Sequence, residues 1–495
     1  MARFWPYTGL LLARALHRHA QGVTATRILA QWVSDYPHNV PLKLQLAHQV
    51  IRLGGDWRLV RRIAASLKGW PSAERDVHWL RLRNVLYEGG LSADHLAEEI
   101  RHFSERYLQP ASSNGYELPA DSGTTLVSIQ RQRIGLISPL FVAGPVYFLC
   151  IGALRELAHA FDLILYSRDP HQDWATDCFR SIAAEWHDVV ELDDVQLAQT
   201  LRSAQLYAVI DLGGWMDQSV LRALARRPVS RQFKWVGGQG TTTGTHAFDG
   251  FITDEHQSPA HLAHLYTEPL HYMPGGYVTY THPDYMPELR GMVSRSSSPV
   301  VGVMSHPVKV SAPFLAYLRQ EIERHQAQKG LPVTLRFIGA RYGQDALKRR
   351  IAKAIGFDAQ NDLAGVELQF VATRGHREQL RAIVELDWII DTFPFTSGLT
   401  ALEALALGVP LRIHAGAHCS ARHAYSHSRY AGLTDEQIEL QRLGAFAPGP
   451  LRNQGVSLLP PDSPRRDHVR LANSLVQLLH SSTPFATTGH VKPVH

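Results

Sequence analysis

Short apolar runs alternating with amphipathic helical stretches recur along most of this chain, and they do so in two successive series. Alternation of this kind is the pattern of a parallel, doubly wound sheet with helices on both faces. In the first series the apolar runs fall at 133–138, 161–166, 206–212, 233–236 and 250–254, with helices over 145–160 and 172–185. In the second they fall at 299–304, 333–338, 366–371, 388–391 and 410–413, with helices over 312–327, 344–355, 376–384 and 398–407. A polar stretch, 281–298, separates the two. The fold class expected is therefore α/β, with two Rossmann-like domains over 126–290 and 296–480.

The first 108 residues have a different texture. Ile28, Leu29, Trp32 and Val33 recur at helical spacing, Tyr36-Pro37-His38-Asn39 breaks the run, and Leu42, Leu44, Leu46, Ala47, Val50 and Ile51 start a second helix ending at Gly54-Gly55. A further pair is expected over 56–68 and 76–88, closed by Gly89-Gly90. Helix, Tyr-Pro-x-Asn, helix, Gly-Asp is the style of a tetratricopeptide hairpin, although the full repeat signature is missing. Residues 1–120 thus read as an all-α, tetratricopeptide-like domain or as a plain helical cap. The Pro/Gly/Ser-rich stretch 109–124 marks its boundary. A chain of 495 residues is long enough for these three units.

Composition excludes several classes. Charged residues make up 19% and apolar residues 45%, ordinary for a globular protein. The formal charge of +5 comes without a basic run or an aromatic-basic module, so nucleic acid is not an expected partner. Only Cys150, Cys178 and Cys419 are present, far apart, which argues against zinc spacing and a disulfide framework and favours a reducing compartment. The opening MARFWPYTGLLLARALHRHA has a short apolar run broken by Arg14, His17, Arg18 and His19. It reads as an amphipathic helix rather than a signal peptide. No run reaches the roughly 18 apolar residues of a membrane span, and the expected location is the cytoplasm.

The strongest local signal is 387–413, DWIIDTFPFTSGLTALEALALGVPLRI. A strand ends at Asp391, and a loop of small and hydroxyl residues follows (Thr392, Thr396, Ser397, Gly398). A helix then opens at Leu399-Thr400. A helix N-terminus offers free backbone N–H groups and the positive end of the macrodipole, which suits a diphosphate. Gly398 would let the backbone approach a ligand closely. Glu403 lies one turn into the helix, where a carboxylate can reach a ribose diol. Leu402, Leu405 and Leu407 form the inward stripe, which leaves Glu403 outside it, as a ligand contact or as an ordinary surface carboxylate.

This segment resembles the nucleotide-binding stretch of family 41 glycosyltransferases. These are the O-GlcNAc transferases, their SPINDLY relatives and the bacterial cytoplasmic N-glycosyltransferases that modify adhesins. Asp391-Thr392, the Thr396–Thr400 loop, Glu403 and Gly408-x-Pro410 fall in register with that family's Asp-Thr…Asn-Gly-His-Thr-Thr-Gly-Met-Asp…Gly-x-Pro. The resemblance extends over roughly 130–435. The opening strand Arg133–Ser138, Ile210-Asp211-Leu212-Gly213-Gly214, the stretch Trp235–Gly244, Asp249–Asp254 and Glu268-x-Leu270-x-Tyr272-Met273-Pro274 follow in the family's order.

The resemblance implies a GT-B architecture, with the first α/β domain on the acceptor side and the second binding the nucleotide sugar. It puts Lys309, in Ser305-His306-Pro307-Val308-Lys309, against the donor diphosphate; His306, three residues earlier, is either a contact to phosphate or base or an ordinary histidine, and His376 is a further candidate donor contact. A fixed cation at a departing diphosphate stabilises the transition state more than the ground state. The Gly240-Thr241-Thr242-Thr243-Gly244 loop is either a ligand-facing loop or a structural turn. His187, in Glu185-Trp186-His187-Asp188, falls near a family histidine of the active-site region, and a neutral imidazole can serve as base or relay. Two positions depart from the family. Gly144-Pro145 stands where the O-GlcNAc transferases carry His-Pro, and Gly398 stands where the phosphate loop has a histidine. Both leave the donor sugar and the proton acceptor open. His414, His418, His423 and His427 with Arg422 and Arg429 form a basic stretch that contacts phosphate or acceptor, or is a solvated face.

The function expected is inverting, metal-independent transfer of a hexose or N-acetylhexosamine from a UDP-sugar to a protein side chain, Ser/Thr or Asn. No metal or other cofactor is expected, since no Asp-x-Asp motif occurs. Partners would be the UDP-sugar and a protein or peptide acceptor. The alternatives are the same chemistry on a glycan or small molecule, or a non-catalytic helical-repeat scaffold.

Overall fold

The structure, a computed structural model, describes residues 22–109, 131–289, 298–357 and 365–481. The expected N-terminal amphipathic helix and nearly all of the 109–124 boundary lie outside the described residues. Among those described, no helix is long and apolar enough to cross a membrane.

Two parallel sheets carry the fold. The first has β1 (Arg133–Ser138), β2 (Asp162–Ser167), β3 (Glu185–Asp188), β4 (Ala208–Asp211), β5 (Gln232–Lys234), β6 (Gly250–Thr253) and β7 (Leu270–Tyr272) in the order β3-β2-β1-β4-β5-β6-β7. The second has β8 (Val300–Val303), β9 (Val333–Ile338), β10 (Val366–Val371), β11 (Trp388–Ile390) and β12 (Leu411–Arg412) in the order β10-β9-β8-β11-β12. Each order reverses after its first strand, between β1 and β4 and between β8 and β11. That reversal is the topological switch point at which doubly wound sheets bind ligands, beyond the carboxyl ends of the strands. The two-Rossmann expectation is met.

The central strands were legible because both of their faces are covered and they are apolar throughout. β1 is buried over Ile134–Ser138 and β4 over its whole length. Two strands escaped sequence reading, β3 and β7, and they are the two edges of the first sheet. Their residues, Glu185-Trp186-His187-Asp188 and Leu270-His271-Tyr272, are only partly buried or exposed. An edge strand with one open side has no need of a continuous apolar run. The helix expected over 172–185 therefore ends at Ile182, its start fixed by a reciprocal cap between Asp173 and Thr176.

Compactness divides the chain differently from its linear order. The residues up to Glu99 form one compact unit with Pro283–Pro461, and Ile100–His282 forms the other with the chain after Asp462. In the first of these units, the front helices Gly22–Asp35, Val40–Leu53, Trp57–Ser66 and Glu74–Glu88 share a core that includes Leu46, Trp57, Val60 and Leu80. Asn39 accepts from the Leu42 amide at 3.0 Å and Asp56 from the Leu59 amide at 3.2 Å, so the expected breaks are capped helix starts. Val308, from the turn after β8, is a member of that same core. In the other unit the C-terminal helix His468–Ser481 packs on the helix Pro145–Leu157. A Cβ on Gly152 would stand 2.3 Å from the His468 ring, so this crossing needs glycine.

Candidate functional site

In the unit that holds the second sheet, the switch point is built from the turns after β8 and β11. Asp391, at the end of β11, is fully buried and organises both. Its carboxylate accepts from the Ser397 amide at 2.9 Å, the Ser397 hydroxyl at 2.6 Å and the Thr392 amide at 2.9 Å. Ser305, just past β8, lies 3.0 Å from the Ser397 hydroxyl and accepts from the Thr392 hydroxyl at 2.8 Å. Burial raises the Asp391 pKa, opposed by the Ser397 hydrogen bonds and the nearby Lys309 cation. The two turns are thus tied together by a buried polar network rather than by apolar packing.

Lys309 closes the single 3₁₀ turn Pro307–Lys309 after β8. Its Nζ donates to the Thr396 carbonyl at 2.7 Å and stands 4.5 Å from the centroid of the Phe395 ring. The residue keeps some surface, but loss of water around the ammonium pushes its pKa down to about 8, with Asp391 opposing. His306 caps the same turn. Its Nδ1 faces the Val308 amide at 3.2 Å and its Nε2 faces Arg341 Nε at 2.9 Å. Desolvation and the cations of Arg341 and Lys309 push the ring down to about 3, although one edge stays exposed. A neutral imidazole accepts at only one nitrogen, so one of these donors is surplus to the ring.

The helix after the loop runs Leu399–Ala406. Thr396 is buried and its hydroxyl donates to the Ser420 carbonyl at 3.0 Å, while Ser397 is taken up by Asp391. Those two hydroxyls therefore hold the loop. Gly398, Leu399 and Thr400 remain half-buried at its mouth, and the leading amides of a helix have no intrahelical acceptor. A Cβ added to Gly398 would meet nothing within 4 Å, and its φ is −97°. The glycine is required by no protein neighbour. The space above it is open.

Glu403 is not a surface carboxylate. It is fully buried, and its Oε1 lies 2.5 Å from Nε2 of His376, the first residue of the helix His376–Val384. The other ring nitrogen of His376 is 2.9 Å from the Tyr285 hydroxyl, and the Arg377 guanidinium lies over the Tyr285 ring at 4.9 Å. Glu403 Oε2 is buried with no partner. A carboxylate in that condition costs free energy unless something else completes its hydrogen bonding. Sequence reasoning named His376 and Glu403 separately and missed Tyr285 and Arg341, which sit in stretches without local pattern. The basic stretch disperses. His414 packs edge-on against Phe393, His423 lies near Phe395, and His427 is buried. Among the described residues no group of three or more metal-ligating side chains gathers.

The other α/β unit tells a different story. Thr241 and Thr242 are buried, as is Gly240, whose amide turns back onto the Gly238 carbonyl at 2.9 Å. The Thr242 hydroxyl donates to Glu268 at 2.6 Å and accepts from the Gly244 and Thr267 amides, each at 3.0 Å. The Thr243 amide donates to Glu268 at 2.6 Å, and the Thr243 hydroxyl reaches it as well. The Thr242 and Thr243 hydroxyls are thus spent on Glu268 inside the unit. His187 lies on the edge strand β3, with β2, β1 and β4 between it and β5, so the structure does not bring it together with that loop. Its Nε2 is 3.2 Å from Glu185, which Arg133 grips through both guanidinium nitrogens at 2.7 and 3.0 Å, and its ring stacks on Tyr166. Hydrogen bonds from Arg133 hold the Glu185 pKa down to about 2, His187 adding to the effect. The candidate base is thus engaged in an ion-pair network at the rim of a cavity of about 550 Å³.

Comparison with known proteins places these observations. Residues 113–317 match the family described as glycosyl transferase family 41. The chain is 24% identical over 347 residues to the SPINDLY protein of Petunia hybrida, described as a probable UDP-N-acetylglucosamine–peptide N-acetylglucosaminyltransferase. The match covers 66% of this chain and 34% of that one. The SEC protein of Arabidopsis thaliana, with the same description, is 27% identical over 175 residues, 34% of this chain and 17% of that one. The chain thus spans about a third of the length of the SPINDLY relative. A mutant of the Thermobaculum terrenum O-GlcNAc transferase shares the fold, with a TM-score of 0.66 at 21% identity over 96% of this chain and 93% of that one.

Proposed function

The chain is a relative of the family 41 glycosyltransferases, and on that premise we propose that it moves a hexose or N-acetylhexosamine from a UDP-sugar to a protein side chain, Ser/Thr or Asn. The observation that carries the reading is the seat of Lys309: one ammonium held on the Thr396 carbonyl at the β8–β11 switch point, in the loop that leads into the helix opening at Leu399. Positive potential from a lysine and a helix N-terminus suits a diphosphate.

In an inverting transfer the acceptor oxygen or nitrogen attacks the anomeric carbon in line. The bond from that carbon to the β-phosphate oxygen breaks, and its electron pair stays on the departing UDP. The acceptor's proton leaves to a base or to solvent. Charge develops on the β-phosphate, where Lys309 and the helix amides stabilise it. The surplus donor at His306, Arg341 or the Val308 amide, gives an anion a further partner. Glu403 Oε2, unpartnered and buried, supports a hydroxyl-bearing ligand such as ribose beside His376. These groups supply the positive charge that a divalent cation provides in other transferases, so we propose a metal-independent reaction.

The test is calorimetric titration with UDP, with GDP and ADP as controls and EDTA present. Saturable, UDP-selective binding is expected. Failure of all three nucleotides to bind would overturn the reading in favour of a scaffold, and binding that EDTA abolishes would overturn metal independence.

A further inference from the structure

The helical front segment packs in one compact unit with the second α/β segment, and its aromatic residues reach the phosphate loop. The Tyr87 ring lies flat on Phe395, with centroids 4.9 Å apart and an interplanar angle of 9°. On Tyr87 stacks Trp57, at 5.4 Å and 24°. The Trp57 indole N–H donates to the carbonyl of Val308, the residue before Lys309, at 3.2 Å. Lys309 stands over Phe395 at 4.5 Å. The contacts form a closed circuit: Lys309, Phe395, Tyr87, Trp57, Val308 and back to Lys309. Around it, Glu88 accepts from the Ala312 amide at 3.3 Å, and Arg350 donates to the Gly54 carbonyl at 2.7 Å. Gly55 is needed at its place, since its φ is +66° and a Cβ would stand 2.9 Å from the Val308 backbone.

We propose that Trp57 and Tyr87 are positioning residues of the donor site: the helical front segment holds the turn that carries Lys309 and the ring beneath its ammonium. The inference deepens the UDP-sugar reading and rests on it for its meaning. It gives the front segment a role distinct from acceptor binding and makes it inseparable from the donor site. Deleting residues 1–120 would remove two members of the circuit.

The physical consequence is a titration. The lysine is desolvated where it sits, with its pKa near 8. The ionisable groups coupled to it are Asp391 after β11 and His306 on its own turn, where the Arg341 guanidinium also bears on His306. Removing the Tyr87 ring frees Phe395 to move off the ammonium; water then reaches the amine, and the lysine returns toward its ordinary pKa.

The experiment uses the full chain. The Lys309 pKa is measured by competitive acylation of its amine across pH, read by mass spectrometry, and UDP affinity by calorimetry at pH 7. In wild type Lys309 titrates near 8. Tyr87→Leu is expected to shift that titration upward and weaken UDP about tenfold, whereas Tyr87→Phe keeps both at wild-type values. Trp57→Phe, which keeps an aromatic ring against Tyr87 but removes the indole N–H and part of the ring system, is expected to weaken UDP about threefold. It also serves as the second variant should Tyr87→Leu not fold. Lys309 titration and UDP affinity unchanged in Tyr87→Leu, or UDP affinity unchanged in Trp57→Phe where that variant stands in, would overturn the inference. If wild type binds no UDP but Tyr87→Leu still shifts the titration, the positioning role stands and the UDP reading falls.

Discussion

Two loops of this protein are alike in composition: Gly240-Thr241-Thr242-Thr243-Gly244 after β5, and Thr396-Ser397-Gly398-Leu399-Thr400 after β11. Both mix glycine with hydroxyl residues, and both follow a parallel strand. In the first, every Thr242 and Thr243 hydroxyl is consumed, chiefly by Glu268, and the loop is buried. In the second, Asp391 and the Ser420 carbonyl consume Ser397 and Thr396, leaving Gly398 to Thr400 half-buried at the mouth. Composition does not separate a loop whose hydroxyls are spent internally from one that stays open at its tip. The location of the buried carboxylate does: Glu268 ties Thr242 and Thr243 at the middle of one loop, whereas Asp391 ties only the root of the other.

The sharpest way to break that comparison is Lys309→Ala. Turnover on a UDP-sugar should fall by about 10²–10³, the size of effect seen for an oxyanion-stabilising group, while the thermal midpoint stays put. A variant that keeps its turnover would remove the β11 loop from the chemistry. Next in size, Glu268→Ala strands the Thr242 and Thr243 donors and should cost roughly 3 kcal/mol in a denaturant titration. UDP affinity should not change, and a weakened affinity would mean that the β5 loop contributes to the ligand site after all.

A pH series tests the lysine itself. Its pKa is depressed, so the ammonium is charged below about 8 and neutral above. UDP affinity should hold from the second ionisation of its terminal phosphate, about pH 6, up to that point and fall by roughly tenfold per pH unit beyond it. In Lys309→Ala the alkaline fall should be absent, and its persistence would assign the titration elsewhere. The finest comparison is a matched pair of isosteric changes. Thr242→Val should lose about 2 kcal/mol of stability and leave UDP binding alone. Thr400→Val should leave stability alone and weaken UDP about fivefold. Identical behaviour of the two variants would dissolve the distinction between the loops.

Most of the architecture was legible because buried parallel strands must be apolar on both faces, as Leu163–Tyr166 and Ala208–Ile210 illustrate. What escaped were edges and partners. β3 and β7 lack a covered second side, so no periodicity betrays them. Tyr285 and Arg341 reach His376 and His306 from positions whose neighbours carry no motif. Glu403 was picked out by spacing, but its full burial depends on what surrounds that helix.

The sequence by itself determined that two parallel sheets form, where their central strands run, and which loop leads into a helix. These follow from local periodicity and from short-range backbone geometry. Only the tertiary structure decided which threonines are spent, that His187 sits in an ion-pair network on an edge strand, and that the front helices share a core with the second sheet's unit. Those outcomes depend on contacts between residues far apart in the chain, such as Trp57 with Val308 and Tyr87 with Phe395, and no local pattern encodes which distant partner will arrive.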